Sequence, residues 1–191
     1  MNTEGIQARK KTQLLLTILS VFVACVILIV FLREERGSTL KSTKLLQPGL
    51  EVPGFTFPDI DGKEVSLSDQ RGKVVLVNVW ATWCSTCRQE MPSMQRLYQK
   101  FKDENFEILA VSIDSEGYKT VAPFMRKMNL TFPALLDQEE TIRRLYRVTG
   151  VPESFIIDKK GILVEKIIGP INWANQEVFL FFKDLIQKPN S

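Results

Sequence analysis

The sequence contains no histidine, only three cysteines among 191 residues, and little excess charge of either sign. Without histidine the chain has no imidazole base and no histidine ligand for a metal or a haem. A structural zinc site needs about four Cys or His ligands, and the region after residue 47 offers only two cysteines. The net charge of +3 gives no electrostatic reason to expect nucleic-acid binding.

Residues 14–32 form an uncharged, mainly apolar run of 19 residues. This run is long enough to cross a bilayer as a helix and is longer than the apolar part of a typical signal peptide. Basic residues at 9–11 precede it, whereas the charges at 33–36 balance, so residues 1–13 are predicted to be cytoplasmic. We therefore expect a transmembrane anchor with the rest of the chain outside the cytoplasm, in a bacterial periplasm or on the outer face of the membrane.

Cys25 lies within this run and allows an alternative interpretation. The segment Phe22-Val23-Ala24-Cys25 loosely resembles the cleavage box of a bacterial lipoprotein, which would place a lipid on Cys25. A lipoprotein normally becomes polar after this cysteine, but the chain stays apolar through Leu32, so an ordinary membrane helix is preferred. Residues 33–47 are polar and predict a linker, which leaves residues 48–191 as the folded domain.

Within that domain, apolar runs alternate with amphipathic segments. Apolar residues at three- and four-residue steps predict helices that begin at Cys84 and lie around Val121, Ile142 and Val178. A sandwich with a mixed central sheet is indicated, because strands alternate with helices and a final hairpin and helix follow. The predicted strands are a hairpin around Asp61-Gly62, buried strands at 74–80 and 106–113, a short strand at 132–136, and a hairpin at 154–157 and 162–168.

The most informative residues are Cys84 and Cys87, in Trp80-Ala81-Thr82-Trp83-Cys84-Ser85-Thr86-Cys87. Their spacing at a helix start puts both sulfurs on one face, close enough for a disulfide, and the helix N-terminus stabilises a thiolate on Cys84. This arrangement predicts dithiol–disulfide exchange, with Cys84 as the nucleophile and the more buried Cys87 as the resolving thiol. A purely structural disulfide is the alternative, since one can persist outside the cytoplasm.

With Glu90 and Pro92 following, this motif resembles the active site of the membrane-anchored TlpA, ResA and CcmG type of thioredoxin-like thiol-disulfide oxidoreductase. The resemblance covers residues 48–188, including Gly150-Val151-Pro152-Glu153-Ser154-Phe155 and additional strand-helix material at 108–136. It implies a thioredoxin-like three-layer α/β sandwich and no cofactor. It also implies reduction of protein disulfides, such as those of apocytochrome c during cytochrome c maturation, with electrons from a membrane thiol-disulfide donor.

The resemblance also implies that Glu90 influences the proton transfers of the cysteines. Glu90 lies three residues after Cys87 and therefore projects beside it on the helix. A partly buried carboxylate has a raised pKa and can exchange a proton near neutral pH; an exposed helix glutamate is the alternative. Asn78 stands where thioredoxin has a buried aspartate, which makes Glu90 the better candidate for a carboxylate base.

Substrate contacts are implied around a second segment. By resemblance, a cis peptide bond precedes Pro152 and places this loop opposite the cysteines, where the backbone of Val151 can pair with an extended substrate. Trp83 and Glu153 complete the expected substrate-binding set, with an exposed loop residue as the alternative for Glu153. Arg88 is interpreted as a solvated helix charge, or else as a cation that lowers a neighbouring thiol pKa.

Other functions fit less well. A thiol peroxidase would carry threonine three residues before its reactive cysteine, but Ala81 precedes Cys84 by three and Cys84 itself precedes Cys87 by three. A copper-binding module of this fold would use two cysteines and a histidine, which the chain lacks. The Ser85-Thr86 pair between the cysteines does not settle the direction of electron flow, so a disulfide donor stays an alternative to a reductase.

Overall fold

The structure, a computed structural model, describes residues 46–189. Seven strands and four α-helices make up this part of the chain, together with a short 3-10 helix at Leu67–Gln70. The strands are β1 (Thr56–Pro58), β2 (Glu64–Ser66), β3 (Val74–Trp80), β4 (Phe106–Ser112), β5 (Ala134–Leu136), β6 (Glu153–Ile157) and β7 (Leu163–Ile168). The helices are α1 (Ser85–Phe101), α2 (Tyr118–Lys127), α3 (Thr141–Tyr146) and α4 (Gln176–Gln187).

Five of the strands form one mixed sheet in the order β5-β4-β3-β6-β7. Strands β3, β4 and β5 are parallel, whereas β6 is antiparallel to both β3 and β7. All seven residues of β3 are buried, as expected for a continuous apolar run in the centre of a sheet covered on both faces. The predicted mixed sheet is confirmed.

Helices cover both faces of this sheet. Phe106 on β4 packs against Phe101 of α1 and Phe182 of α4 on one face. On the other face Tyr146 of α3 packs edge-on against Phe155 of β6. The arrangement has three layers, and it brings the N-terminus of α1 to the carboxyl end of β3, where the cysteines lie.

The predicted elements are present, with shorter boundaries in places. The hairpin of β1 and β2 turns at Gly62, whose φ of +81° favours glycine. The strand predicted at 132–136 begins only at Ala134, because Pro133 cannot donate to a strand ladder. The additional strand-helix material appears as the end of β4 followed by α2 and β5.

The membrane predictions fall outside the described residues. These are the cytoplasmic segment at 1–13, the anchor at 14–32 with Cys25, and the linker at 33–47 apart from its last two residues. Among residues 46–189, none of the helices combines the length and the apolar composition that a membrane crossing requires.

Candidate active site

Cys84 and Cys87 form a disulfide at the junction between β3 and α1. Their Cα atoms are 5.3 Å apart, within the usual range for such a bond. Cys84 is the N-cap of α1, and its Sγ accepts a hydrogen bond from the backbone N–H of Cys87 at 3.2 Å. Cys84 is 7% exposed and Cys87 is fully buried. The structure thus brings the two sulfurs together at a helix start, with Cys84 the more accessible.

The loop before Cys84 is held by hydrogen bonds to a residue that sequence reasoning missed. Asp114, two residues after β4, accepts hydrogen bonds from both the N–H and the hydroxyl of Thr82. Trp83 follows and projects into solvent with 64% of its surface exposed. The position of Asp114 in the sequence could have indicated its role. Polar side chains directly after parallel strands collect at the edge of the sheet where binding sites form.

The loop opposite the cysteines contains a cis peptide bond between Val151 and Pro152, as the resemblance implies. The carbonyl oxygen of Val151 lies 3.6 Å from Cys84 Sγ. Pro152 is buried and Val151 is half-buried. The backbone of Val151 is therefore next to the sulfur that is predicted to attack substrate.

Glu90 is buried, with only 3% of its surface exposed, so its interpretation as an exposed helix residue is wrong. Its Oε1 accepts a hydrogen bond from Asn78 Nδ2 at 3.0 Å, and its Oε2 accepts from Trp173 Nε1 at 3.0 Å and from the N–H of Ile171 at 3.3 Å. Burial raises the pKa of Glu90, and the hydrogen bonds from Trp173, Asn78 and Ile171 oppose this shift in part.

Asn78 links Glu90 to the strand on the other side of β3. Its Nδ2 also donates to Ser154 Oγ at 2.9 Å, and Ser154 is its register partner on β6. Among the described residues, the buried Oδ1 of Asn78 has no hydrogen-bond partner. A neutral amide thus occupies the centre of the sheet beside Glu90.

The position of Glu153 differs from the expected one. It is neither an exposed loop residue nor placed to contact substrate with its side chain, because it is the first residue of β6 and is fully buried. Its Oε1 accepts hydrogen bonds from the N–H and hydroxyl of Thr149 at 2.9 and 2.8 Å, while its Oε2 lies 2.8 Å from Lys166 Nζ. Burial alone would raise the pKa of Glu153, but the bonds from Lys166 and Thr149 outweigh it and lower the pKa.

Arg88 is exposed, but it is more than a solvated charge. Its Nη1 donates to the carbonyl oxygen of Thr82 at 2.9 Å and so joins the first turns of α1 to the preceding loop. Pro92 lies inside α1, as expected, on its exposed side.

A groove of about 310 Å³ runs alongside α1 and reaches Glu90. Its other walls come from Gln89, Pro92, Ser93 and Arg96 of α1 and from Pro170, Ile171 and Asn172. The groove gives Glu90 a route to solvent that does not pass over the disulfide. A carboxyl group that is buried but adjoins such a groove can exchange protons with water.

Comparisons with known proteins agree with this geometry. The AhpC/TSA family matches residues 48–166. Thiol-disulfide oxidoreductase ResA from Bacillus cereus is 44% identical over 124 residues, which cover 65% of this chain and 71% of that protein. Thioredoxin-like protein YneN from Bacillus subtilis is 37% identical over 134 residues, covering 69% and 78% of the two chains.

Solved structures show the same fold. A thiol:disulfide interchange protein of the thioredoxin family from Chlorobium tepidum superposes with a TM-score of 0.64 at 28% identity, covering 73% of this chain and 97% of that one. StoA from Bacillus subtilis, at 24% identity, superposes with a TM-score of 0.59 over 70% of this chain and 99% of its own, a likeness of fold alone.

Proposed function

Because this chain belongs to the AhpC/TSA family of thioredoxin-fold proteins and is a thiol-disulfide oxidoreductase, we propose that Cys84 and Cys87 are its redox pair and that it reduces disulfides in other proteins. The observation that carries the proposal is the position of Cys84 at the N-cap of α1, where its Sγ accepts the N–H of Cys87. Unpaired N–H groups and the helix dipole at this position stabilise a thiolate.

The reaction proceeds by two exchanges. The Cys84 thiolate attacks one sulfur of a substrate disulfide, so that a mixed disulfide forms and the first substrate thiolate leaves. Cys87 then loses its proton and attacks Cys84, which releases the second substrate thiolate and leaves the Cys84–Cys87 disulfide. Two electrons pass to the substrate, and two protons from the dithiol balance its two new thiols.

Glu90 serves this second exchange. The Cys87 thiol is fully buried, so its proton needs an acceptor nearby, and Glu90 lies one turn further along α1. Because burial raises the pKa of Glu90, its carboxyl group can accept and return a proton closer to neutral pH than an exposed glutamate can. The groove beside α1 connects it to water.

The substrate binds as an extended segment across the disulfide. The Val151 carbonyl next to Cys84 Sγ supports this, because an extended chain pairs through backbone hydrogen bonds. Exposed Trp83, the residue before Cys84, supplies an aromatic surface for the same contact. Apocytochrome c is the proposed substrate, and a membrane thiol-disulfide protein is the proposed donor of electrons.

The proposed location is extracytoplasmic, with residues 14–32 as a membrane anchor. The length of this uncharged run and the basic residues before it support the assignment. Lipidation at Cys25 is the alternative means of attachment. Either attachment would place the folded domain, residues 48–191, where disulfides form and persist.

Replacement of each cysteine by serine tests the redox pair. We expect the full-length Cys84→Ser variant to lose insulin reduction entirely, and the Cys87→Ser variant to accumulate a mixed disulfide, since nothing resolves it. Mass analysis after alkylation detects that adduct. Reduction of insulin by the Cys84→Ser variant would refute the assignment, and faster consumption of hydrogen peroxide than of insulin by the unmodified protein would identify a peroxidase instead.

The reduction potential of the pair tests the direction of electron flow. Equilibration with dithiothreitol or glutathione buffers should give a value near that of thioredoxin, about −270 mV. A value near about −120 mV, like that of the strongly oxidising DsbA, would make the protein a disulfide donor.

A further inference from the structure

Asp114 is buried, with 4% of its surface exposed, yet it takes no part in the exchange described above. Its Oδ2 accepts hydrogen bonds from the N–H of Thr82 at 2.9 Å and from Ser112 Oγ at 2.7 Å, and its Oδ1 accepts from Thr82 Oγ1 at 2.5 Å. Two of the three donors therefore belong to one residue in the loop between β3 and α1. Hydrogen bonds to a charged acceptor are stronger than those between neutral groups.

The remaining polar group of Thr82 is held by α1. Its carbonyl oxygen accepts a hydrogen bond from Arg88 Nη1 at 2.9 Å. The N–H, hydroxyl and carbonyl of Thr82 are thus all bound, the first two to Asp114 just after β4 and the third to Arg88 of α1. Since Trp83 and Cys84 follow directly, these hydrogen bonds to Thr82 also restrict the positions of the Trp83 and Cys84 backbone.

We propose that Asp114 is a positioning residue that holds Thr82, and through it presents exposed Trp83 and Cys84 together to a protein disulfide. The inference rests on the proposed function, because it concerns how the same cysteine pair meets its substrate. Trp83 can contribute a stable contact only if its backbone is held in place, since its ring is mostly surrounded by solvent. A displacement of about 1 Å in such a positioning element can cost on the order of a hundredfold in rate.

The chain offers a matched control in Asp137. This residue is also buried, at 3% exposure, and directly follows the parallel strand β5. Its carboxylate accepts hydrogen bonds from the N–H groups of Thr141 and Ile142 at 2.9 and 2.7 Å, at the start of α3. Like Asp114, it is a buried carboxylate that accepts hydrogen bonds from backbone N–H groups. Its strand β5 is two strands away from β3, roughly 10 Å at the usual strand spacing.

The test compares full-length Asp114→Ala, Asp114→Asn and Asp137→Ala with the unmodified protein on two substrates. Insulin reports on presentation to a protein, whereas the aromatic disulfide DTNB reports on the thiols alone. We expect Asp114→Ala to raise KM for insulin about tenfold while the rate with DTNB changes less than about twofold. Asp114→Asn should stay within about twofold of the unmodified protein, since its amide can accept from the Thr82 N–H and donate to the Thr82 hydroxyl.

A second readout does not depend on activity. The chain has three tryptophans, Trp80, Trp83 and Trp173, and only Trp83 is exposed, so acrylamide quenching and fluorescence anisotropy report mainly on Trp83. Asp114→Ala should increase the local mobility of Trp83, and Asp137→Ala should not. If Asp114→Ala fails to fold, Thr82→Val, which removes the hydroxyl bond alone, should produce a smaller change in the same direction.

Three results would overturn the proposal. These are an unchanged KM for insulin in a folded Asp114→Ala protein, equal losses with insulin and DTNB, or the same defect in Asp137→Ala. An unmodified protein that does not reduce insulin would refute the proposed function instead. In that case the tryptophan measurements still decide whether Asp114 holds the Thr82–Trp83 segment.

Discussion

Two buried glutamates lie near the cysteine pair, on opposite faces of the same sheet, and only one of them has a positive charge beside it. Glu90 reaches the face of Asn78 and meets only uncharged donors. Glu153 lies on the other face, because side chains alternate along β6 and Ser154 already occupies the face of Asn78. There Lys166 supplies a positive charge 2.8 Å away.

Of the two carboxyl groups, only that of Glu90 is suited to moving a proton. Both are removed from water, and removal from water favours the uncharged form in each case. Glu90 keeps this effect, so its pKa is raised, whereas Lys166 and Thr149 reverse it for Glu153 and lower its pKa. Glu90 is thus suited to accepting and returning protons, and Glu153 is a fixed negative charge that holds the loop before Pro152.

Removal of the positive charge of Lys166 is expected to have the largest effect. Lys166→Met should leave Glu153 buried without a counter-charge, and we expect a loss of about 3 kcal/mol in the free energy of unfolding. Chemical denaturation of the full-length protein, solubilised in detergent and monitored by tryptophan fluorescence, measures the loss. The double variant Glu153→Gln with Lys166→Met should recover most of it, because no charge is then left buried.

Lys188→Met is the matched control for that experiment. Lys188 pairs with Asp184 at 2.9 Å, but both side chains are well exposed, so its replacement should cost less than about 1 kcal/mol. Equal costs at Lys166 and Lys188 would contradict the view that Lys166 sets the state of Glu153.

The next largest effect is expected at Glu90. Glu90→Gln removes the proton acceptor and should slow insulin reduction at neutral pH on the order of a hundredfold. Because the base must be ionised, the rate of the unmodified protein should rise with pH through the raised pKa of Glu90, and Glu90→Gln should lose this rise. Glu153→Gln should keep it, since the pKa of Glu153 is lowered and its charge is already present over that range.

Glu90→Gln should retain the native fold for a specific reason. Reversal of the Asn78 amide would bring its unpartnered Oδ1 toward position 90, where it could accept from the new glutamine and from the Ser154 hydroxyl. A rate that is unaffected in this variant would show that Cys87 loses its proton to another group.

Sequence patterns predicted the position of Glu90 but not the burial of Glu153. Glu90 could be predicted beside Cys87, because three-residue spacing on a helix is local information. Glu153 follows a proline in a segment that reads as a loop, and the residue that makes its burial tolerable is Lys166, on the next strand. Asp114 was missed for the same reason, since Thr82 is 32 residues away along the chain. The main strands and helices were predictable because their apolar periodicity is also local.

The smallest expected effect is at Ser154, which is hydrogen-bonded to Asn78 on the same face of the sheet as Glu90. Ser154 is adjacent to Glu153 in the chain, and its Oγ accepts a hydrogen bond from Asn78, which in turn donates to Glu90. Ser154→Ala should cost about 1 kcal/mol of stability, the usual contribution of one buried hydrogen bond. If Asn78 couples Ser154 to Glu90, this cost should differ when measured in the Glu90→Gln background, where the Asn78 amide is reversed. Equal costs in both backgrounds would show that Asn78 does not couple Ser154 to Glu90.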